Sequence, residues 1–295
     1  MNRTIIYSAT TVIALLNGCS FQQSVEKDLI TGAFSRGEGI SCEEVHIDTG
    51  GRTGKELAFV YGEKVNILFE NVRGFTEQNG KVFPGLSIHV VENGQDTLLA
   101  YPDLFEAIGE GTDLSPLQMQ ANFTAVLPYG NKKDYKAYIK IWDKKGTGTF
   151  SYEMPFTVME SKLLDVRSSG LEYGAVYLWN LTRNEVVLDS VFSQKDSLIL
   201  IIEGTEGFRE VGDKVYPELS VALSDRAGRA LLSNPNLLGH VQLKGIPSDD
   251  IAREDLFVKL GFTEGHIDNP CRLKVVLADS NSEKKIEVSG ELYIQ

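Results

Sequence analysis

Apolar and polar residues alternate with a period of two over much of this chain. Leu86, Ile88 and Val90 alternate with Ser87 and His89, and Leu219, Val221 and Leu223 alternate with Ser220, Ala222 and Ser224. Phe150, Tyr152, Met154, Phe156 and Val158 share one parity, as do Ile286, Val288, Leu292 and Ile294 with Gly290 among them. Successive side chains of a strand point to opposite faces, so each run predicts a strand that covers a core from one side. Segments 65–69 and 198–202 are more continuously apolar and predict central strands. Turn signals separate the runs: Asn93-Gly94, Asp143 to Gly146, Asp225 to Gly228 and Asp279 to Ser282. Sustained helical periodicity is absent. Segments 102–108, 114–120 and 248–255 are each expected to give a turn or two of helix.

The pattern occurs twice. Shifted by 133 residues, 59–104 falls on 192–237 without a gap, and 14 of the 46 positions are identical. The densest matches pair Gly74-Phe75, Glu77, Lys81-Val82, Pro84 and Leu86-Ser87 with Gly207-Phe208, Glu210, Lys214-Val215, Pro217 and Leu219-Ser220. Further on the shift becomes 136, so that Ala137, Ile139, Ile141 and Asp143 meet Leu273, Val275, Leu277 and Asp279. A period of this length is a whole domain rather than a solenoid unit. About seven short strands in each ~130 residues, punctuated by turns, predict an all-β chain of two tandem duplicated β-sandwiches.

The first twenty residues are of a different kind. Arg3 precedes a largely apolar stretch, 5–16, of signal-peptide length and too short to span ~30 Å of hydrocarbon. Leu16-Asn17-Gly18-Cys19 follows and resembles the lipobox of bacterial lipoproteins. That resemblance implies cleavage before Cys19, a diacylglycerol on its sulfur and an acylated new amine, with palmitate among the expected chains. Two or more acyl chains hold a protein to a membrane firmly, where one binds marginally. Ser20 after the cysteine, under the enteric-bacterial sorting rule, implies the outer membrane rather than the inner. The expected organisation is signal peptide 1–18, flexible tether 19–41 and sandwiches over 42–158 and 159–295. The pattern of the two sandwiches resembles the immunoglobulin-like domains of bacterial surface lipoproteins, with a C2-like sandwich as the alternative.

Composition narrows the function. With 29 Lys+Arg against 41 Asp+Glu the net charge is −12, and no basic run exists to neutralise phosphates, which excludes a nucleic-acid partner. Three cysteines exclude a disulfide framework or a cysteine-rich zinc module. Cys271 takes the place Tyr135 holds in the first copy and reads as a buried small hydrophobe. A Cys42–Cys271 bridge is chemically allowed outside the cytoplasm.

Motifs for chemistry fail on inspection. Gly50 to Glu56 misses the first glycine and the Ser/Thr of a phosphate-binding loop and reads as a turn. His46, His89, His240 and His266 lack metalloprotease spacing, and no cluster of three or four zinc ligands is legible. The recurring acids Glu70/Glu203, Glu77/Glu210 and Asp143/Asp279 read as turn caps and solvated carboxylates rather than calcium ligands. Tyr129, Tyr135, Tyr138 and Trp142 are candidates for an aromatic platform, with Tyr138 and Trp142 on one face. The expectation is a non-catalytic envelope protein with a membrane anchor at Cys19, a protein partner and no catalytic, cofactor or metal residues. A carbohydrate-active hydrolase, a glycan-binding module and a Ca2+-dependent surface binder are the alternatives.

Overall fold

The computed structural model describes residues 23–50, 57–107, 109–129, 133–242, 244–251, 253–262 and 265–295. The expected signal peptide, Cys19 and segment 51–56 lie outside them. Each half is a β-sandwich with its own apolar core.

In the first unit the larger sheet runs Gln23–Lys27, Phe34–Glu38, Thr149–Met159, Tyr135–Asp143, Pro84–Glu92, Asp96–Tyr101, with short Ala58–Val60 added parallel to Thr149–Met159. Facing it is a sheet of Glu44–Asp48, Lys64–Val72 and Leu117–Thr124. The second unit repeats this order without a counterpart of Gln23–Lys27. Asp165–Ser169, Lys285–Ile294, Cys271–Asp279, Pro217–Ser224 and Ala230–Asn234 form the larger sheet, and Val191–Phe192 pairs parallel with Lys285–Ile294. Ala175–Asn180, Leu198–Glu203 and Leu256–Leu260 form the facing one, with Glu185–Val186 added at its edge. The duplication legible in the sequence is thus a duplication of strand order.

The alternating runs bury the side they were expected to bury. Phe69 of the smaller sheet is fully buried and meets Phe150 and Tyr152 of the larger one edge-on, at centroid distances of 6.2 and 5.9 Å. Full burial of such a side chain contributes about 1.5–3 kcal/mol, and its edge-to-face contacts add somewhat to that. In the second unit Leu198, Leu200 and Ile202 of the smaller sheet share one buried core with Val275, Leu277 and Val288 of the larger one. Cys271 is wholly buried there, and it and Cys42 are both free thiols.

Two expectations are corrected. The segment read as a tether contains two strands, Gln23–Lys27 and Phe34–Glu38, and Ile40 behind them is 1% exposed. The first sandwich therefore begins well before residue 42. The first of these strands is exposed along its whole length and held by backbone pairing, so it leaves no hydrophobic period to read. The expected helical turn over 114–120 is instead the start of strand Leu117–Thr124, whose burial alternates strictly. Ser248–Ile251 is helical as expected, and a further turn, Gly239–Gln242, had no legible signal. No helix among the described residues is long and apolar enough to cross a membrane.

Candidate functional site

The recurring aspartates and glycines are spent on the architecture. Asp143 is 5% exposed, and its carboxylate accepts the backbone N–H of Thr76 at 2.7 Å and of Lys145 at 2.9 Å. Asp279, 2% exposed, accepts from Arg209 at 2.9 Å and Asn281 at 3.1 Å. Each aspartate clamps the loop after Gly74 or Gly207 to a hairpin turn. Those glycines have φ of 102° and 88°, and a Cβ on Gly74 would stand 2.0 Å from the carbonyl oxygen of Gly39. On Gly207 it would stand 2.9 Å from that of Gly170. The repeated glycine is thus a close crossing of two backbones. Glu63 and Asp196 form another matched pair, accepting from Val60 at 2.7 Å and Ser193 at 2.9 Å. Burial raises the Asp143 carboxyl, but the Thr76, Lys145 and Gly146 donors outweigh it and hold the group below its usual range. Burial acts likewise on Asp196, and hydrogen bonds from Ser193 and Asn180 with the Arg183 charge bring it low.

Glu203 lies where the units meet. Tyr61 of the first unit donates to it at 2.6 Å and Tyr177 of the second at 2.5 Å, with the two rings 5.3 Å apart. Tyr129 packs edge-on against Tyr61 at 5.8 Å. Ala175, Tyr177 and Val186 join the first unit's core, so the outer face of the second unit's smaller sheet is covered by its sister. Burial and then the Glu203 carboxylate push the Tyr61 and Tyr177 phenols well above the ordinary value.

The register of the first unit sets different residues at the same places on that sheet. Glu44 pairs with Glu70 and His46 with Leu68, where Ala175 pairs with Glu203 and Tyr177 with Ile201. His46 Nε2 lies 3.3 Å from Glu44 Oε2 and 3.5 Å from Glu70 Oε1. Among the described residues these three form the only group of His, Cys, Asp or Glu whose donor atoms all fall within 4.8 Å of one another. No such cluster is legible in the sequence. Its signal was slight: an acid and a histidine two apart on one strand, with the second acid supplied by a neighbour only once the register is known.

The aromatic candidates separate. Tyr135 is buried in the first core, stacked on Phe156 at 5.4 Å, and Tyr129 lies at the unit junction. Tyr138 and Trp142 stay together on the outer face of the larger sheet, where Tyr138 stacks on His89 at 4.9 Å with planes 9° apart. Trp142 lies over Gly85, where a Cβ would come within 2.1 Å of its ring. The second unit has Lys274, Ala278 and Ala222 at the matching positions. Glu77 borders a small depression of about 90 Å3 with Phe75, Val82, Thr112 and Leu114.

No protein family and no curated protein matches the chain. Among solved structures it is similar to the C-terminal domain of Wzt, at 15% identity and a TM-score of 0.34, over 44% of this chain and 79% of that one. It is also similar to the fibronectin(III)-like modules of CbhA from Clostridium thermocellum, at 12% identity and a TM-score of 0.21, over 85% and 94%. A third likeness is to three N-terminal domains of the highly immunogenic outer capsid protein of bacteriophage RB49, at 10% identity and a TM-score of 0.21, over 90% and 79%. These are all proteins of distant sequence, and none transfers an activity to this chain.

Proposed function

We propose that this chain is a non-catalytic protein of the bacterial cell envelope, held to the outer membrane by lipid on Cys19, and that it serves there as a structural or binding subunit. The observation that carries the reading is the use made of the recurring acids. Asp143, Asp279, Glu63 and Asp196 each hold a loop by its backbone N–H groups, and Glu203 joins the two units. A scaffold repeats such features, whereas reactive groups tend to occur once.

The lipobox resemblance supports the anchor. Labelled palmitate should enter the native protein, and Cys19→Ala should lose the label and leave the membrane fraction. Purification of the lipidated protein from detergent-solubilised envelopes should yield a partner in fixed stoichiometry. An unlabelled, soluble wild-type chain, or a chain that purifies alone, would count against the respective half of the reading.

A glycan ligand is the second reading, favoured by the Trp142, Tyr138 and His89 face that the second unit lacks. Flat, half-buried rings on a sheet suit the apolar side of a sugar. Binding of an envelope polysaccharide that Trp142→Ala abolishes, while the melting temperature is kept, would support it. Equal binding by both proteins would remove it.

A further inference from the structure

We infer that Glu44, His46 and Glu70 form a binding site for a divalent transition-metal ion of the zinc type, a site separate from the proposed anchor and partner function. Zinc takes imidazole nitrogen at about 2.0–2.1 Å and carboxylate oxygen at about 2.0–2.2 Å, and tetrahedral ligands at those lengths stand about 3.3–3.5 Å apart. The two separations from His46 Nε2 are 3.3 and 3.5 Å. Those two separations already suit a shared metal, and the two carboxylate oxygens stand within 4.8 Å of one another. One imidazole and two carboxylates suit zinc, whereas a hard ion such as calcium requires six to eight oxygens.

Two further observations point the same way. Glu44 and Glu70 are directly opposed across the strand pair. Like charges so placed are destabilising, and a divalent cation converts that repulsion into attraction. The second unit supplies an internal comparison. Its acid at the place of Glu70 is Glu203, which accepts hydrogen bonds from the hydroxyls of Tyr61 and Tyr177 beneath the sister unit. In the first unit the place of Tyr177 is taken by His46 and that of Ala175 by Glu44, on a face open to solvent, with side chains 45%, 63% and 43% exposed for His46, Glu44 and Glu70. One copy of this sheet face thus became a protein contact and the other a convergent set of donors. Three protein ligands leave the fourth position for water.

The test is calorimetric titration of the chelator-treated, detergent-purified full chain with Zn2+, beside melting curves with and without the ion. The result expected is one Zn2+ per chain and a melting temperature that rises with zinc. His46→Gln and Glu70→Gln should each weaken binding at least ~10-fold while both stay folded in zinc-free buffer, Glu70→Gln melting no lower than the wild type, because removing one of three ligands removes a large share of the affinity. His266→Gln, at an exposed histidine elsewhere that faces Asp268, should leave binding unchanged. Absence of heat and of any thermal shift up to ~1 mM Zn2+, binding that the two triad variants leave intact, or preference for Ca2+ over Zn2+ would each overturn the inference.

Discussion

Thr76 donates its backbone N–H to Asp143 Oδ2 at 2.7 Å, fastening the loop after the Gly74 crossing to the turn that follows strand Tyr135–Asp143. Arg209 and Asp279 reproduce the contact in the second unit at 2.9 Å. Removing a carboxylate that serves buried N–H donors leaves them without a partner and costs about 1–3 kcal/mol. Asp143→Ala and Asp279→Ala should each lower stability by about that amount in urea unfolding followed by tryptophan fluorescence. A loss within error of zero for both would show the clamps to be incidental.

The same carboxylates set the acid limit of the fold. Asp143 and Asp196, and Asp103 with its Lys144 partner at 2.7 Å, are all held below the ordinary range. A carboxyl depressed in the folded state binds its proton more readily when unfolded. The stability it contributes is present above the unfolded value near ~3.9 and is lost as pH falls through the folded value. Urea midpoints should hold between pH 7 and 5 and fall between pH 4 and 2, and Asp143→Asn should make that fall shallower. A midpoint that rises on acidification would contradict the assignment.

Tyr61 and Tyr177 share one acceptor, Glu203. Hydrogen bonds to a charged group contribute about 1.5–3 kcal/mol. Tyr61→Phe and Tyr177→Phe should each destabilise the junction, and the double variant should cost more than the sum, because in each single variant the remaining hydroxyl tightens on the carboxylate. Limited proteolysis between the units should quicken in the double variant. Strict additivity with unaltered proteolysis would separate the two contacts.

Glycine substitutions distinguish sterics from backbone preference. Gly94 sits at φ 73° in open space, and Gly74 at φ 102° against the Gly39 carbonyl. Gly94→Ala should cost about 1 kcal/mol, the ordinary penalty for the left-handed region. Gly74→Ala should cost several times more or prevent folding, since two backbones must separate. Equal melting temperatures for the two variants would remove the close-crossing argument.

The amino-acid pattern by itself determined the strands that have one wet face and one dry face. Leu86, Ile88 and Val90, or Phe150 through Val158, announce their burial because the pleat converts alternation into sidedness. It also determined the duplication, since Gly74 and Gly207 or Asp143 and Asp279 occupy crossings and clamps that any copy of this fold must rebuild. Strands held by backbone pairing left no such trace: Gln23–Lys27 is polar and exposed throughout, and reads as linker until its neighbour is known. The relation of Glu70 to Glu44 and His46, and of Glu203 to Tyr61, was decided by tertiary structure alone. Register sets residues far apart in the chain side by side, and whether the outer face of a sheet meets solvent or a sister unit depends on packing that a linear period cannot encode.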